Sequence, residues 1–171
     1  VPWSKEAFFI DREDRSNALG KDLMHLMGHF YMQEAASMLP VELLQPEAGE
    51  AILDMSAAPG SKTTQIAGKQ NGRGVILAND VQEKRLWTLK TALHRSGVSN
   101  VIVSKKVGQW FAKHMTERFD RVLCDAPCTA EGTARKDSDA LKYCSIENTK
   151  SMASLQHALL ESAVHAAKVG G

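Results

Sequence analysis

No stretch of the sequence approaches the roughly 20 uncharged apolar residues that a membrane-spanning helix requires, so no membrane span is expected. A surplus of one charge sign is missing too: 21 Lys and Arg stand against 20 Asp and Glu, a net charge of +1. That balance, with 43% hydrophobic residues, excludes a disordered polyelectrolyte. It argues against a generally basic nucleic-acid coat while leaving room for a local basic face. Cysteine is scarce. Cys124, Cys128 and Cys144 form an odd set without a C-x-x-C pair, which offers neither a disulfide framework nor a zinc knuckle. With no signal peptide in view, they suggest a reducing, cytoplasmic setting. Internal repeats and low-complexity segments are lacking as well.

What is present suits one domain with a real core, since single domains mostly run about 100–150 residues and this chain has 171. It opens Val1-Pro2-Trp3 and closes Gly170-Gly171, and neither end reads as a natural terminus. A leader over 1–31, anchored by Trp3, Phe8, Phe9, Phe30 and Tyr31, precedes the domain proper over 32–171. Ala36, Leu39 and Leu43 fall at helical spacing within a helix expected over 32–44. Strands are expected at 51–55, 75–78, 101–103 and 119–124, and helices at 61–69, 82–96, 109–115 and 151–168. In the second of these helices Leu86, Leu89 and Leu93 share a face. Near-continuous apolar strands alternating with helices mark an α/β fold with a mostly parallel sheet covered on both faces. Ligands of such doubly wound sheets sit beyond the carboxyl ends of the strands, where the strand order reverses. The residues just after each strand are therefore the ones to examine.

After the first strand comes Asp54-Met55-Ser56-Ala57-Ala58-Pro59-Gly60-Ser61-Lys62-Thr63. Its small residues admit a ligand close to the backbone, and the helix beginning near Ser61 favours an anion. An ordinary strand–turn–helix junction capped by Ser61 or Thr63 accounts for the segment equally well. A P-loop is excluded, because Gly60-Ser61-Lys62-Thr63 lacks the adjacent Gly-Lys and the earlier glycine. Asp80 closes the second strand where doubly wound folds grip a ribose, about 25 residues beyond the first strand. Capping of the following helix, which carries Lys84 and Arg85, is the simpler reading of Asp80 alone. The fourth strand ends in Cys124-Asp125-Ala126-Pro127-Cys128, where Pro127 stiffens a turn that presents Cys128 from a loop. Cys124 reads as a buried small hydrophobe, and Cys144 as structural. His25 and His29 read as structural rather than metal ligands, since no third ligand is evident, and no metal is expected. Met24, Met27, Met32 and Met38 read as core filler.

Several of these segments together closely resemble the Sun/Fmu-type RNA (cytosine-5) methyltransferases. They are residues 31–40 (Tyr-Met-Gln-Glu-Ala-Ala-Ser-Met-Leu-Pro), residues 53–67 around Ala58-Pro59-Gly60, Asn79-Asp80 with Arg85, and Asp125-Ala126-Pro127-Cys128 with Glu131-Gly132. Arg135-Lys136-Asp137 and Gln156-His157-Ala158-Leu159-Leu160 point to the bacterial 16S rRNA branch. The resemblance implies a Rossmann-like class I fold that uses S-adenosylmethionine, a partial methyltransferase domain over 32–171, and a remnant of a small N-terminal domain over 1–31. It also implies the site. Ser56, Ala57, Ala58, Pro59, Gly60, Ser61 and Lys62 would wrap the methionine and ribose of the cofactor. Asp80 would hold the ribose, and Arg85 and Asp125 would complete the pocket. Asp125, paired with Lys62, would contact the target cytosine, and Cys128 would assist product release.

The same resemblance implies departures. The family's attacking thiol comes from a later Thr-Cys on the next strand, and the sequence ends at Val169-Gly170-Gly171 before it. A C-terminally incomplete fold with the fourth strand as an unpaired edge is expected. Val107 stands where an aspartate usually reads the adenine amino group. Two readings stay open: a fragment of an active rRNA methyltransferase, and a degenerate, non-catalytic member that binds RNA or a partner. Lys105, Lys106, Lys113, Arg118, Arg121 and Arg135-Lys136 would supply the basic surface for RNA, and a monomer is favoured.

Overall fold

The computed structural model describes residues 1–12, 16, 18–129, 132 and 145–171. A one-turn helix, α1 (Leu23–Leu26), and α2 (Ala35–Leu44) precede β1 (Ala51–Asp54). Then come α3 (Ser61–Gln70), β2 (Val75–Asn79), α4 (Glu83–Arg95), β3 (Val101–Ser104), α5 (Gln109–His114), β4 (Arg121–Leu123) and α6 (Ile146–Ala166). The four strands form one sheet in the order β3-β2-β1-β4, every pair parallel. β1 has β2 on one side and β4 on the other, so the order reverses at β1, and β4 is an edge among the described strands.

β1 is buried because both of its faces are covered, and burial falls toward the edge strand β3, where Ile102 is exposed. Ile52 packs with Val41, Ile66 and Ile76 under α2 and α3, whereas its neighbour Leu53 packs with Phe111, Leu159 and Ala163 under α5 and α6. Successive side chains pointing to opposite faces is the two-residue period of a strand. Leu86, Leu89 and Leu93 of α4 close on Ala57, Ala58 and Ala78, as their spacing predicts. The turn between β1 and α3 needs glycine at position 60. Gly60 has φ 113°, and a Cβ there would meet Ala92 Cβ at 3.1 Å and Leu89 Cδ1 at 3.2 Å.

The structure corrects several expectations. α2 starts at Ala35 rather than residue 32, because Glu34 is extended. Its Ala36–Leu39–Leu43 stripe faces outward, and Leu43 is 74% exposed. Inward, α2 buries Val41 in the core and adds polar contacts to α3: Gln65 Nε2 donates to Met38 O and Glu42 Oε1, and Lys69 pairs with Glu42 at 2.8 Å. Met24, Met27 and Met32 are exposed rather than core, and the residue that α1 buries is His25. α6 begins five residues earlier than expected, at Ile146, where Ser145 Oγ accepts the Asn148 N–H as an N-cap. Arg118 and Arg121 lie at the opposite end of the sheet from the strand-end loops, because Arg118 precedes β4 and Arg121 is its first residue. Arg121 is spent there on an internal contact: its Nε donates to both Glu50 oxygens (2.9 and 2.8 Å) and its Nη1 to Leu44 O at 2.7 Å. Lys113, in the last turn of α5, also lies away from the loops. Arg135-Lys136, Glu131 and Cys144 lie outside the described residues.

Candidate active site

The carboxyl ends of β1, β2, β3 and β4 surround a cavity of about 520 Å³. Ser56, Ala58, Asp80, Arg85, Asp125 and Cys128 all line it, so three separate sequence segments meet at one place. Ala57, Pro59, Gly60, Ser61 and Lys62 do not line it, and Pro59 is exposed. Ala57 is fixed by donating its N–H to Asn79 O at 2.7 Å.

Asp80 is 2% exposed. Its Oδ1 accepts the Gln82 N–H at 2.9 Å, which turns the chain into α4 without capping the helix itself. Its Oδ2 lies 3.1 Å from Arg85 Nη1 as an ion pair, yet receives no aligned hydrogen bond. Arg85 also donates from Nη2 to Ala58 O, so one guanidinium ties the Ala58 turn to Asp80. A buried carboxylate oxygen lacking a donor is costly unless something supplies one.

Lys62 Nζ lies 2.6 Å from Asp125 Oδ2, the pairing expected from sequence. Lys62 also donates to Ser37 Oγ at 3.2 Å, which connects α2 to the same cluster. Beneath it Asp54 is fully buried and accepts from Thr63 Oγ1 at 2.7 Å. Burial pushes the Asp54 carboxyl up to about 6, against the pull of the Thr63 hydroxyl, the Ser56 amide and the Lys62 charge. Thr63 is thus a buried partner of Asp54, not a cap, and the N-cap residue of α3 is Gly60.

Cys128 is exposed on the loop after β4, as its place after Pro127 predicts. The turn is pinned from α6, where Gln156 Nε2 donates to Pro127 O at 2.9 Å. Cys124 is half-buried, and burial, with the neighbouring Asp125, raises its thiol above the usual range. Of the basic residues expected at this edge, Lys105 pairs with exposed Glu83 at 2.7 Å, and Lys106 stands 5.0 Å from the Trp110 ring centre. Val107, also on the cavity wall, is 57% exposed.

Sequence reasoning did not single out Ser37, Asp54, Asn79 or Gln156 as site residues. A polar residue closing a buried strand, as Asp54 and Asn79 do, is the available signal for two of them. Among the described residues, no three His, Cys, Asp or Glu side chains are grouped to hold a metal ion. No helix described is long and apolar enough to cross a membrane.

Comparison with known proteins agrees with this geometry. The family model "16S rRNA methyltransferase RsmB/F" matches residues 41–171. The chain is 47% identical over 174 residues to "Ribosomal RNA small subunit methyltransferase F" of Citrobacter koseri, covering 100% of this chain and 36% of that protein. It therefore spans little more than a third of that relative's length. A methyltransferase homologue from Pyrococcus horikoshii superposes with TM-score 0.79 at 39% identity, over 98% of this chain and 51% of that one. The structure of NSun6 from Pyrococcus horikoshii with SFG superposes with TM-score 0.83 at 30% identity, over 91% and 39% of the two chains. With its parallel sheet and strand-end cavity, the chain has a Rossmann-like methyltransferase fold and belongs to the 16S rRNA methyltransferase RsmB/F family.

Proposed function

We propose that this chain forms the cofactor-binding and base-facing part of an S-adenosylmethionine-dependent RNA (cytosine-5) methyltransferase acting on rRNA. One observation carries the reading: a buried, donor-poor Asp80 oxygen and the Lys62–Asp125 pair flank a single cavity that also exposes Cys128. The residues fit the cofactor. Asp80 Oδ2 matches a ribose hydroxyl, which would donate the hydrogen bond that this oxygen lacks. A cavity of about 520 Å³ lies within the usual range of ligand pockets, about 300–1,000 Å³.

S-adenosylmethionine supplies the electrophilic methyl group. The chain's own residues orient what meets it. Lys62 holds the Asp125 side chain toward the cavity, where its free oxygen accepts from the amino group of an unstacked cytosine. Carbon 5 of cytosine becomes nucleophilic only after a thiolate adds to carbon 6. Once carbon 5 carries the methyl group, its proton leaves to a base and the thiolate departs. Cys128, on an exposed turn beside Asp125, is placed to assist that departure. The substrate assignment draws further on the names of the relatives. Titration of the chain with S-adenosylmethionine in a calorimeter tests the reading, and no heat at millimolar cofactor would sink it.

A second reading, a non-catalytic member that binds RNA, is favoured by Val107. An exposed valine on the cavity wall cannot accept a hydrogen bond from an adenine amino group. Binding of single-stranded RNA with no binding of the cofactor would select it.

A further inference from the structure

Asn79, the last residue of β2, is 1% exposed, and its side chain makes four hydrogen bonds. Nδ2 donates to Met55 O at 3.1 Å and to Lys106 O at 3.0 Å. Oδ1 accepts from Ser104 Oγ at 2.9 Å and from the Lys106 N–H at 2.8 Å. Two donors and two lone pairs are the whole capacity of a carboxamide, so none is left for a ligand. Both backbone groups of Lys106 are held by this one side chain. It serves Lys106 as a neighbouring strand would, just past the point where β3 ends at Ser104. The main-chain carbonyl of Asn79 meanwhile holds Ala57, and its peptide neighbour is Asp80.

We propose that Asn79 is the positioning residue of the cofactor pocket. Its carboxamide sets the Lys106–Gly108 wall at a fixed distance from the Met55–Ser56 turn, so the cavity stands open before a ligand arrives. Pre-organisation of this kind raises affinity by removing the cost of ordering the wall on binding. The inference rests on the cofactor reading above. It concerns a residue that orients the pocket without spending a hydrogen bond on the ligand.

A matched control lies at the other end of the sheet. Gln70 is fully buried, and its Nε2 donates to Glu47 O at 3.2 Å and Glu50 O at 2.9 Å, while Asn100 Nδ2 donates to its Oε1 at 3.1 Å. Asn79→Ala and Gln70→Ala each empty a buried amide site, but only the first touches the pocket. The experiment titrates S-adenosylhomocysteine into the unaltered chain and both variants by calorimetry, and follows hydrogen exchange of the Lys106 amide by NMR.

Asn79→Ala is expected to weaken binding about tenfold or more and to speed Lys106 exchange, with Gln70→Ala within about twofold of the unaltered chain. Equal affinity in Asn79→Ala and the unaltered chain overturns the proposal, and so does equal weakening in both variants. Should Asn79→Ala not fold, Ser104→Ala removes one of the four bonds. A gain in Lys106 exchange with about threefold weaker binding then supports the proposal, and no change in either overturns it. Absence of heat with the unaltered chain overturns the cofactor reading itself and the proposal with it, an outcome distinct from the others.

Discussion

Lys62 in the first turn of α3 and Asp125 in the loop after β4 are joined by a 2.6 Å ion pair across the carboxyl end of the sheet. The two residues are 63 positions apart and meet because β1 and β4 are neighbours in the sheet. Asp125 remains half exposed, with a side-chain exposure of 50%, against 17% for Lys62. Solvent therefore screens the pair, and its value lies in orientation more than in stability. Lys62→Met is expected to lower the unfolding free energy by less than about 1 kcal/mol. Urea denaturation measures it, and a loss several times larger would mean that the pair holds the fold together.

Asp54 makes stability depend on pH in a direction opposite to that of most carboxylates. Its folded value, about 6, is above its ordinary value of 3.8. Between those two the folded chain binds more protons than the unfolded chain, so stability falls as pH rises through that window and levels off above it. A two-unit shift corresponds to about 3 kcal/mol as an upper bound. Asp54→Asn keeps an acceptor for Thr63 and removes the titration. Urea melts from pH 4 to 7 are expected to show a smaller fall for the variant than for the parent. Parallel curves would place the titration elsewhere.

Arg121 separates two roles that sequence alone confuses. A cation expected to face RNA is instead locked to Glu50 and the carbonyl of Leu44 at the far end of the sheet. Arg121→Leu strands a half-buried Glu50 carboxylate, and the expected cost is about 1–3 kcal/mol. Affinity for a single-stranded RNA, read by fluorescence anisotropy over a salt series, is expected to stay the same. A reduced salt slope would return Arg121 to the binding surface.

The contrast between Arg121 and Asp80 shows what the sequence made legible. Strands with near-continuous apolar residues announced a covered parallel sheet, and such a sheet puts ligands at its carboxyl ends. That logic points to Ser56, Asp80, Asp125 and Cys128, which line one cavity in the structure. It did not tell which lysines and arginines stand at which end of a strand, since charge near a strand in sequence lies at either edge in space. The outward stripe of α2 misled for a related reason. Ala36, Leu39 and Leu43 have helical spacing, but α2 meets α3 through Val41 and the polar side chains Gln65, Glu42 and Lys69, and hydropathy carries no signal for the polar part of that interface. Asp54 and Asn79 carry no separate signal in the sequence beyond closing a buried strand, because their meaning lies in partners that only the fold brings near: Thr63, Ser104 and Lys106.

Gly60 couples the site loop to the core. Its backbone is left-handed, and a methyl group there would press on Leu89 and Ala92 of α4. Gly60→Ala therefore combines backbone strain of about 1–2 kcal/mol with an overpacking cost of about 1–3 kcal/mol. Ala92→Gly in the same chain relieves only the Ala92 contact and leaves the backbone strain and the Leu89 contact. Chemical denaturation of both single variants and the double variant is expected to show positive coupling that falls short of full recovery. Full recovery would mean that neither the backbone conformation nor the Leu89 contact is strained by a side chain at this position.

Val107 offers the most direct test of the adenine side of the cavity. It lies on the wall beside Lys106 and Gly108, 57% exposed, in a position where an apolar side chain gains little from burial. Replacing it with aspartate adds an acceptor facing the place where the adenine amino group is expected, and a hydrogen bond to a charged group contributes about 1.5–3 kcal/mol. Val107→Asp is accordingly expected to tighten S-adenosylmethionine binding about tenfold or more by calorimetry. Val107→Asn, which supplies an acceptor without the charge, should give a smaller gain. If both variants bind as the parent does, the base lies against another part of the wall, and the cavity is used in a different orientation.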